Sequence, residues 1–344
     1  MKQAEFKNLV EKAKKSVEYK NYLEIKNIVF KMLDNEPGGA SPSKYWREEL
    51  GGFEYILDAS PLIIKNLRHH TYHLTGLREY DYRKHHAHSA SKIEQRLRLL
   101  QSIDRHSLLI PESPKMGGFG YLIDDKLYNL DTLRFYECLI GLDQAGLLKQ
   151  FREQRRRRSV LEIGSGWGGF AYQFKKLFPN STYILLDFPA VIIFAATYLK
   201  TLFPKSKILI CNGRQPLRLD SEKYDFIFLP YFSWGKFISL PPDLIVNMAS
   251  FQEMTTKQVE AYVKYANEWG VKNIYSCNRD HSPNNPELSA VSSVLGKYYK
   301  TKHLDLTEIQ TPTSNFRRLY LRLIKPFLAK RDPSSYQHTV GTIR

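Results

Sequence analysis

The spacing of apolar positions changes near residue 159, and that change divides the chain. Residues 1–36 place Phe6, Leu9 and Val10, then Ile25, Ile28, Val29, Met32 and Leu33, at helical spacing among lysines and glutamates. One or two amphipathic helices are predicted there. Glu36-Pro37-Gly38-Gly39-Ala40-Ser41-Pro42-Ser43 breaks the pattern and reads as a linker. Residues 44–108 are again mostly helical in pattern, rich in Tyr, Trp and His. A second break at 110–120 holds too many glycines and prolines for regular structure. Residues 129–148 then predict a helix with Leu130, Leu133, Tyr136, Leu139, Ile140 and Leu147 among its apolar positions. Asn129 or Asp131 would cap its start.

From Ser159 onward the apolar runs are short. They predict strands at 160–163, 182–186, 207–211, 224–229, 244–248, 273–277 and 318–324. Helical stretches separate most of them, for example 170–177, 190–202 and 256–268. Alternating strand and helix predicts an α/β fold, a doubly wound and mostly parallel sheet with right-handed crossovers. The expected organisation is N-terminal helices (1–36), a helical substrate-binding cap (44–148), a Rossmann-like catalytic domain (149–325) and a loosely held basic tail (326–344).

Chemistry enters at Val160-Leu161-Glu162-Ile163-Gly164-Ser165-Gly166-Trp167-Gly168-Gly169. An apolar strand, a turn too crowded for side chains and a helix start follow one another. Such a turn brings main-chain N–H groups close to a ligand, and a nucleotide-like cofactor is the natural tenant. Gly164, Gly166 and Gly169 satisfy the dinucleotide fingerprint, and Asp187 stands at the distance of a ribose-binding acid. The spelling Glu162-x-Gly164-x-Gly166-x-Gly168 instead looks like the first motif of class I S-adenosylmethionine-dependent methyltransferases. There the acid sits beside the methionine part of the cofactor, with Ser165 in the same turn. The room after Val160 suits one doubly wound domain rather than a dehydrogenase's two, which favours the methyltransferase reading over an NAD-dependent oxidoreductase.

Asp187 closes the second strand and can accept from both ribose hydroxyls; it would serve equally as a helix N-cap before Pro189. Phe188 would pack on the adenine or ribose. Asn212-Gly213 and Pro230-Tyr231 are both candidates for the adenine contact, Asn212 being the polar side chain among them best suited to it. The fourth strand of such a fold ends at the switch point beside the transferred group. There Glu253 could take a hydroxyl proton and Gln252 could hold the acceptor, although an acid in the first turn of a helix is favoured anyway. His281 is a second candidate base.

Composition adds boundaries. With 344 residues, 42% hydrophobic and 13% aromatic, the chain can build a substantial core. Cys138, Cys211 and Cys277 are far apart without metal-ligand spacing, which suggests core thiols in a reducing compartment. No signal-like run opens the sequence, and the apolar stretch 191–199 is too short for a bilayer, so a cytoplasmic location is expected. The formal charge of +16 concentrates in 61–110, 155–158 and 314–344, which fits a solvated surface, an anionic partner or peripheral membrane contact. His69, His70, His73, His85, His86 and His88 lack companion carboxylates or cysteines, so no metal is expected.

Taken together, the Glu-Ile-Gly-Ser-Gly-Trp-Gly-Gly run, the Leu-Asp-Phe-Pro turn at 186–189 and Asn-Met-Ala-Ser-Phe-Gln-Glu-Met at 247–254 resemble the sugar O-methyltransferase family of bacterial polysaccharide and natural-product clusters. Asn129 to Glu137 and Tyr275 to Arg279 look like that family too, and the resemblance spans roughly residues 110–325. It implies S-adenosylmethionine as cofactor and a sugar or glycan acceptor, free or joined to a nucleotide or lipid. It also implies that Asp131, Arg134, Tyr136, Asn278 and Arg279 line the acceptor site. RNA or another small molecule is the alternative acceptor. Specific nucleic-acid binding is not expected, because residues 250–253 lack the Asn/Asp-Pro-Pro-Tyr-like signature of amino-directed base methyltransferases. Assembly into an oligomer is compatible with these features.

Overall fold

The computed structural model describes residues 2–344 except 39–41, 53, 84–86, 154–155, 215–219, 221, 238, 281–284, 286, 288–289 and 307–334. Helices dominate the first hundred residues: α1 (Gln3–Lys14), α2 (Val17–Asp34), α3 (Lys44–Gly52), α4 (Pro61–Lys65), α5 (Tyr72–Thr75) and α6 (Ala87–Ile103). A small hairpin, β1 (Tyr121–Ile123) and β2 (Lys126–Tyr128), then precedes α7 (Leu130–Gln144) and α8 (Lys149–Arg152). That hairpin falls between the break at 110–120 and the helix expected from 129, where the apolar spacing predicts no element. Its turn puts Asp124 and Asp125 at φ +48° and +59°, a two-residue turn without the glycine that usually announces one. Asn129 is the cap of α7, its Oδ1 accepting from Thr132 N–H at 2.9 Å.

The second half contains β3 (Arg158–Ile163), α9 (Gly169–Leu177), β4 (Ser181–Asp187), α10 (Pro189–Leu202), β5 (Ile208–Ile210), β6 (Phe226–Pro230), β7 (Leu244–Met248), α11 (Thr256–Glu268), β8 (Asn273–Asn278), α12 (Val291–Tyr298), β9 (Tyr299–Leu304) and β10 (Gln337–Ile343). Eight of the strands form one sheet in the order β5-β6-β4-β3-β7-β8-β10-β9. All pairings from β5 through β8 are parallel; β10 runs antiparallel to both its neighbours. This is a doubly wound, Rossmann-like α/β fold. Strand order reverses between β3 and β7, so a crevice opens beyond their C-terminal ends.

One expectation changes here. The segment from residue 326 is not wholly a loose tail, because 337–343 fills the gap between β8 and β9 and hydrogen-bonds to both. Its alternation was hidden by polar residues that nevertheless become buried, His338 and Thr339 among them. The strand expected at 318–324 lies outside the described residues.

The apolar stretch 191–199 also finds its explanation. Nearly every residue of α10 is buried, because one face lies on the sheet and α2 covers the other. Asn21 donates to Thr201 at 3.2 Å and Lys200 meets Glu24 at 2.6 Å along that seam. Tyr22 of α2 is buried beneath, donating to Ile56 C=O and accepting from Ala59 N–H. One hydrophobic core therefore runs from α2 through α10 into β3 and β4. The N-terminal helices are a layer of the fold rather than an appendage. Among the described residues, no helix is long and apolar enough to cross a membrane.

Candidate active site

The glycine turn sits at the mouth of the crevice. Gly164, Gly166 and Gly168 take φ of +72°, +52° and +82°, the left-handed region that side chains avoid. A Cβ on Gly164 would fall 2.0 Å from Ser250 Oγ, so the turn can close against β7 only without one. At Gly166 a Cβ would meet nothing within 4 Å. That side of the turn is open space, available to a ligand.

Asp187 ends β4 opposite Pro230 of β6 and fastens the turn. Its Oδ2 accepts from Gly166 N–H at 2.8 Å and its Oδ1 from Phe188 N–H at 2.8 Å, with Ser165 Oγ at 3.4 Å. Burial pushes its pKa up to about 7 against those donors. Glu162 is buried at the end of β3, where its Oε2 accepts from Tyr183 O–H at 2.9 Å. With no cation beside it among the described residues, burial raises its pKa well above the carboxylate range. Glu162, Gly164, Ser165, Gly166, Asp187 and Phe188 all line one cleft, while Gly168 faces Ala195 and Leu199 of α10 and lets α9 pack there.

An aromatic wall closes one side. Trp46 of α3 lies 5.6 Å from Phe188, and Phe188 lies 4.8 Å from Tyr231, centre to centre. Tyr231 follows β6, the strand that pairs with β4; β5 is the sheet edge. Asn212, after β5, therefore does not reach the cleft. Its carbonyl accepts from Asn35 at 2.9 Å instead. Trp46 carried no sequence signal, since its helix lies more than a hundred residues before the glycine turn.

Across the crevice, β7 ends in Met248 and an unusual residue, Ala249 at φ +56°. A non-glycine residue in that region is strained by roughly 1–3 kcal/mol and marks a site worth notice. The strained turn carries a short helical turn, 251–253, and Glu253 lines the cleft from it. Glu253 is not in the first turn of α11, which starts after its own cap, Thr255. Burial, with Glu49 and Asp187 nearby, pushes its pKa up to about 8 despite Arg134 and Arg279. Its carboxylate makes no hydrogen bond or ion pair among the described residues.

The remaining candidates separate. Asp131 and Arg134, on α7, line the cleft. Asp131 is held there by Arg68, whose guanidinium donates to its Oδ2 at 2.8 Å and to Glu112 at 3.0 Å. Tyr136 points elsewhere, its hydroxyl 2.7 Å from Asp104, because α7 turns that face toward the N-terminal helices. Asn278 is buried and consumed in the sheet, donating to Asn247 Oδ1 and Ser276 Oγ at 2.8 Å each. Gln252 is likewise occupied: its Oε1 accepts from Arg279 N–H at 2.9 Å and its Nε2 donates to Tyr336 O–H at 3.3 Å. It brackets Arg279 rather than facing the cleft. His281 lies outside the described residues.

Outside the cleft, the basic run before β3 is largely spent within the protein. Arg156 and Arg158 meet Asp243 at 2.5 and 2.8 Å, and Arg157 meets Asp225 at 2.7 Å. Cys138, Cys277 and His338 gather, buried, with ligand atoms within 4.8 Å of one another, although the sequence separates them widely. His338 Nε2 also lies 3.1 Å from Glu137 Oε1, and its Nδ1 lies 2.5 Å from Tyr275 O–H.

No family model matches the chain, and no curated protein matches it. Solved structures resemble it in part. One is phosphoethanolamine N-methyltransferase 2 of Haemonchus contortus in complex with S-adenosylmethionine, at 11% identity and TM-score 0.37, covering 59% of this chain and 52% of that one. Another is magnesium protoporphyrin IX methyltransferase of Synechocystis with S-adenosylmethionine bound, at 7% identity and TM-score 0.36, covering 63% and 85%. A third, the methyltransferase domain of a bacterial Hen1, is 13% identical with TM-score 0.38, covering 61% and 100%.

Proposed function

We propose that this protein is an S-adenosylmethionine-dependent O-methyltransferase that acts on a sugar hydroxyl. The observation that carries the reading is the pairing of a glycine turn and its fastening acid, Asp187, with an unpartnered carboxylate, Glu253, across one switch-point crevice. The left-handed glycines are 164, 166 and 168. That is the alternate spelling of methyltransferases, whereas a dinucleotide fingerprint would use Gly169 as its third glycine.

The residues suit that cofactor. Asp187 keeps lone pairs on both oxygens for ribose hydroxyls, beside the open face of Gly166. Phe188, Tyr231 and Trp46 offer ring surfaces for the adenine. Glu162 is a buried acid in want of a cation, and the ammonium of the methionine moiety is a cation that would return it to its charged form. S-adenosylmethionine, when bound, supplies an electrophilic methyl group on a sulfonium.

The chain's own share of the chemistry is alignment and removal of one proton. Glu253 Oε takes the proton of the acceptor hydroxyl as its oxygen becomes the methyl ether, and a pKa near 8 suits a base working near neutrality. The sugar hydroxyl as acceptor rests on the resemblance of 247–254 to sugar O-methyltransferases. Calorimetry with S-adenosylmethionine, then transfer of a labelled methyl group to a panel of sugars and glycans, tests both parts. Absence of cofactor binding overturns the reading; transfer only to RNA or non-sugar acceptors overturns the sugar.

A further inference from the structure

A second cavity, of about 230 Å³, adjoins the cleft and shares Arg134 with it. Arg96 of α6, Arg134 of α7 and Arg279 after β8 meet around it, with Tyr336 and His338 from the chain's last segment. Three elements thus deliver three guanidinium groups to one small space. Like charges gathered in a partly buried place repel one another, and the fold gives them little internal relief.

Two of the carboxylates at hand are already committed, and Glu253, though near Arg134 and Arg279, forms an ion pair with neither among the described residues. Glu137 meets Arg96 at 2.5 Å and His338 at 3.1 Å. Asp131 lies 3.9 Å from Arg134 but is bound by Arg68 at 2.8 Å. Arg279 has no ion pair among the described residues. Its guanidinium and that of Arg134 rest on the same Tyr336 ring, at 4.6 and 5.4 Å. The Nε atoms of Arg96 and Arg279 are buried and lack a hydrogen-bond partner among the described residues. Unused guanidinium donors beside a cavity match the planar fork that holds oxyanions.

We propose that the acceptor carries an oxyanion, whether phosphate, sulfate or carboxylate, and that this group seats between Arg96, Arg134 and Arg279. The inference rests on the methyltransferase reading and narrows its substrate to an acidic acceptor. Arg134, common to both spaces, then sets the distance between the bound anion and the hydroxyl at Glu253. A volume of 230 Å³ holds such a group with several waters, each occupying about 30 Å³ in the liquid.

Calorimetric titration of the full chain with inorganic phosphate, sulfate and acetate, at constant ionic strength, tests the site without any methyl transfer. Saturable binding of at least one anion is expected. Arg279→Met and Arg96→Met should each weaken it by about tenfold or more, the worth of a charge-assisted hydrogen bond. Lys14→Met, at an exposed lysine far along the first helix, should leave it unchanged. If a methionine variant fails to fold, Arg279→Lys and Arg96→Lys keep the charge but lose the fork, and they should still weaken binding. No saturable binding, or binding indifferent to both arginines, overturns the proposal. A protein that methylates neutral sugars yet ignores all three anions overturns this inference alone, whereas failure to bind S-adenosylmethionine overturns the function beneath it.

Discussion

The guanidinium of Arg68 stands 3.8 Å over the indole ring of Trp167. Arg68 comes from the N-terminal helical region and Trp167 from the glycine turn, so this contact joins the helical layer to that turn. The same guanidinium meets Glu112 and Asp131, and all of it is buried. Arg68→Met would strand two carboxylates in the interior, at a cost of about 3–5 kcal/mol. Urea denaturation should show that loss. Cofactor affinity should fall as well, because Trp167 loses the partner that stacks on it.

Glu253→Gln keeps shape and removes basicity, so turnover should fall by about 100- to 10,000-fold while S-adenosylmethionine affinity holds. In the parent protein kcat/KM should rise with pH and level off above about 8, since only the ionised carboxylate accepts the proton. The variant should lack that limb. The stability sign runs opposite. The folded state binds this proton more tightly than the unfolded chain, so Glu253 costs stability as pH rises from the ordinary carboxylate range toward 8. Thermal melts should therefore place Glu253→Gln above the parent at pH 9 and level with it at pH 4.

Asp187→Ala should act on binding rather than on chemistry. It removes the acceptor of Gly166 N–H and the two ribose contacts proposed for it, so calorimetry should record at least about a tenfold weaker cofactor. Burial holds Asp187 near pKa 7, and its ionised form is the better acceptor. Cofactor affinity of the parent should accordingly drop as pH falls through 7. Asp187→Asn should flatten that dependence.

Removal of residues 335–344 would test the sheet. The last strand lies between two others and pairs with both, so its loss leaves two facing strand edges bare. Exposed edges recruit other chains, and the truncated protein should aggregate on expression. Size-exclusion chromatography of the soluble fraction reads the result; a monodisperse, folded truncation would contradict the role assigned to β10.

What the sequence determined by itself is local. Gly164, Gly166 and Gly168 announce a turn because backbone dihedrals depend on the residue that occupies them, and that turn is where they are found. The strands at 160–163, 182–186, 244–248 and 273–277 were legible because buried parallel strands need continuous apolar runs. Helix starts followed from nearby polar groups, as at Asn129. Asp187 and Glu253 were legible by their position after those strands.

Tertiary structure alone decided which faces and distant segments meet. An apolar stripe tells that a helix buries one side, not which neighbour covers it, so Tyr136 was expected in the site and turns to Asp104 instead. Asn278 was read as a ligand contact, but pairing in the sheet consumes its amide in Asn247. The order of parallel strands is non-local, and it excludes Asn212 while bringing in Tyr231. Arg68, Trp46, the strained Ala249 and the arginines around the second cavity gain their meaning from contacts across many tens of residues. Local preference writes the elements, but burial of shared surface chooses their partners, and the site lies where those choices converge.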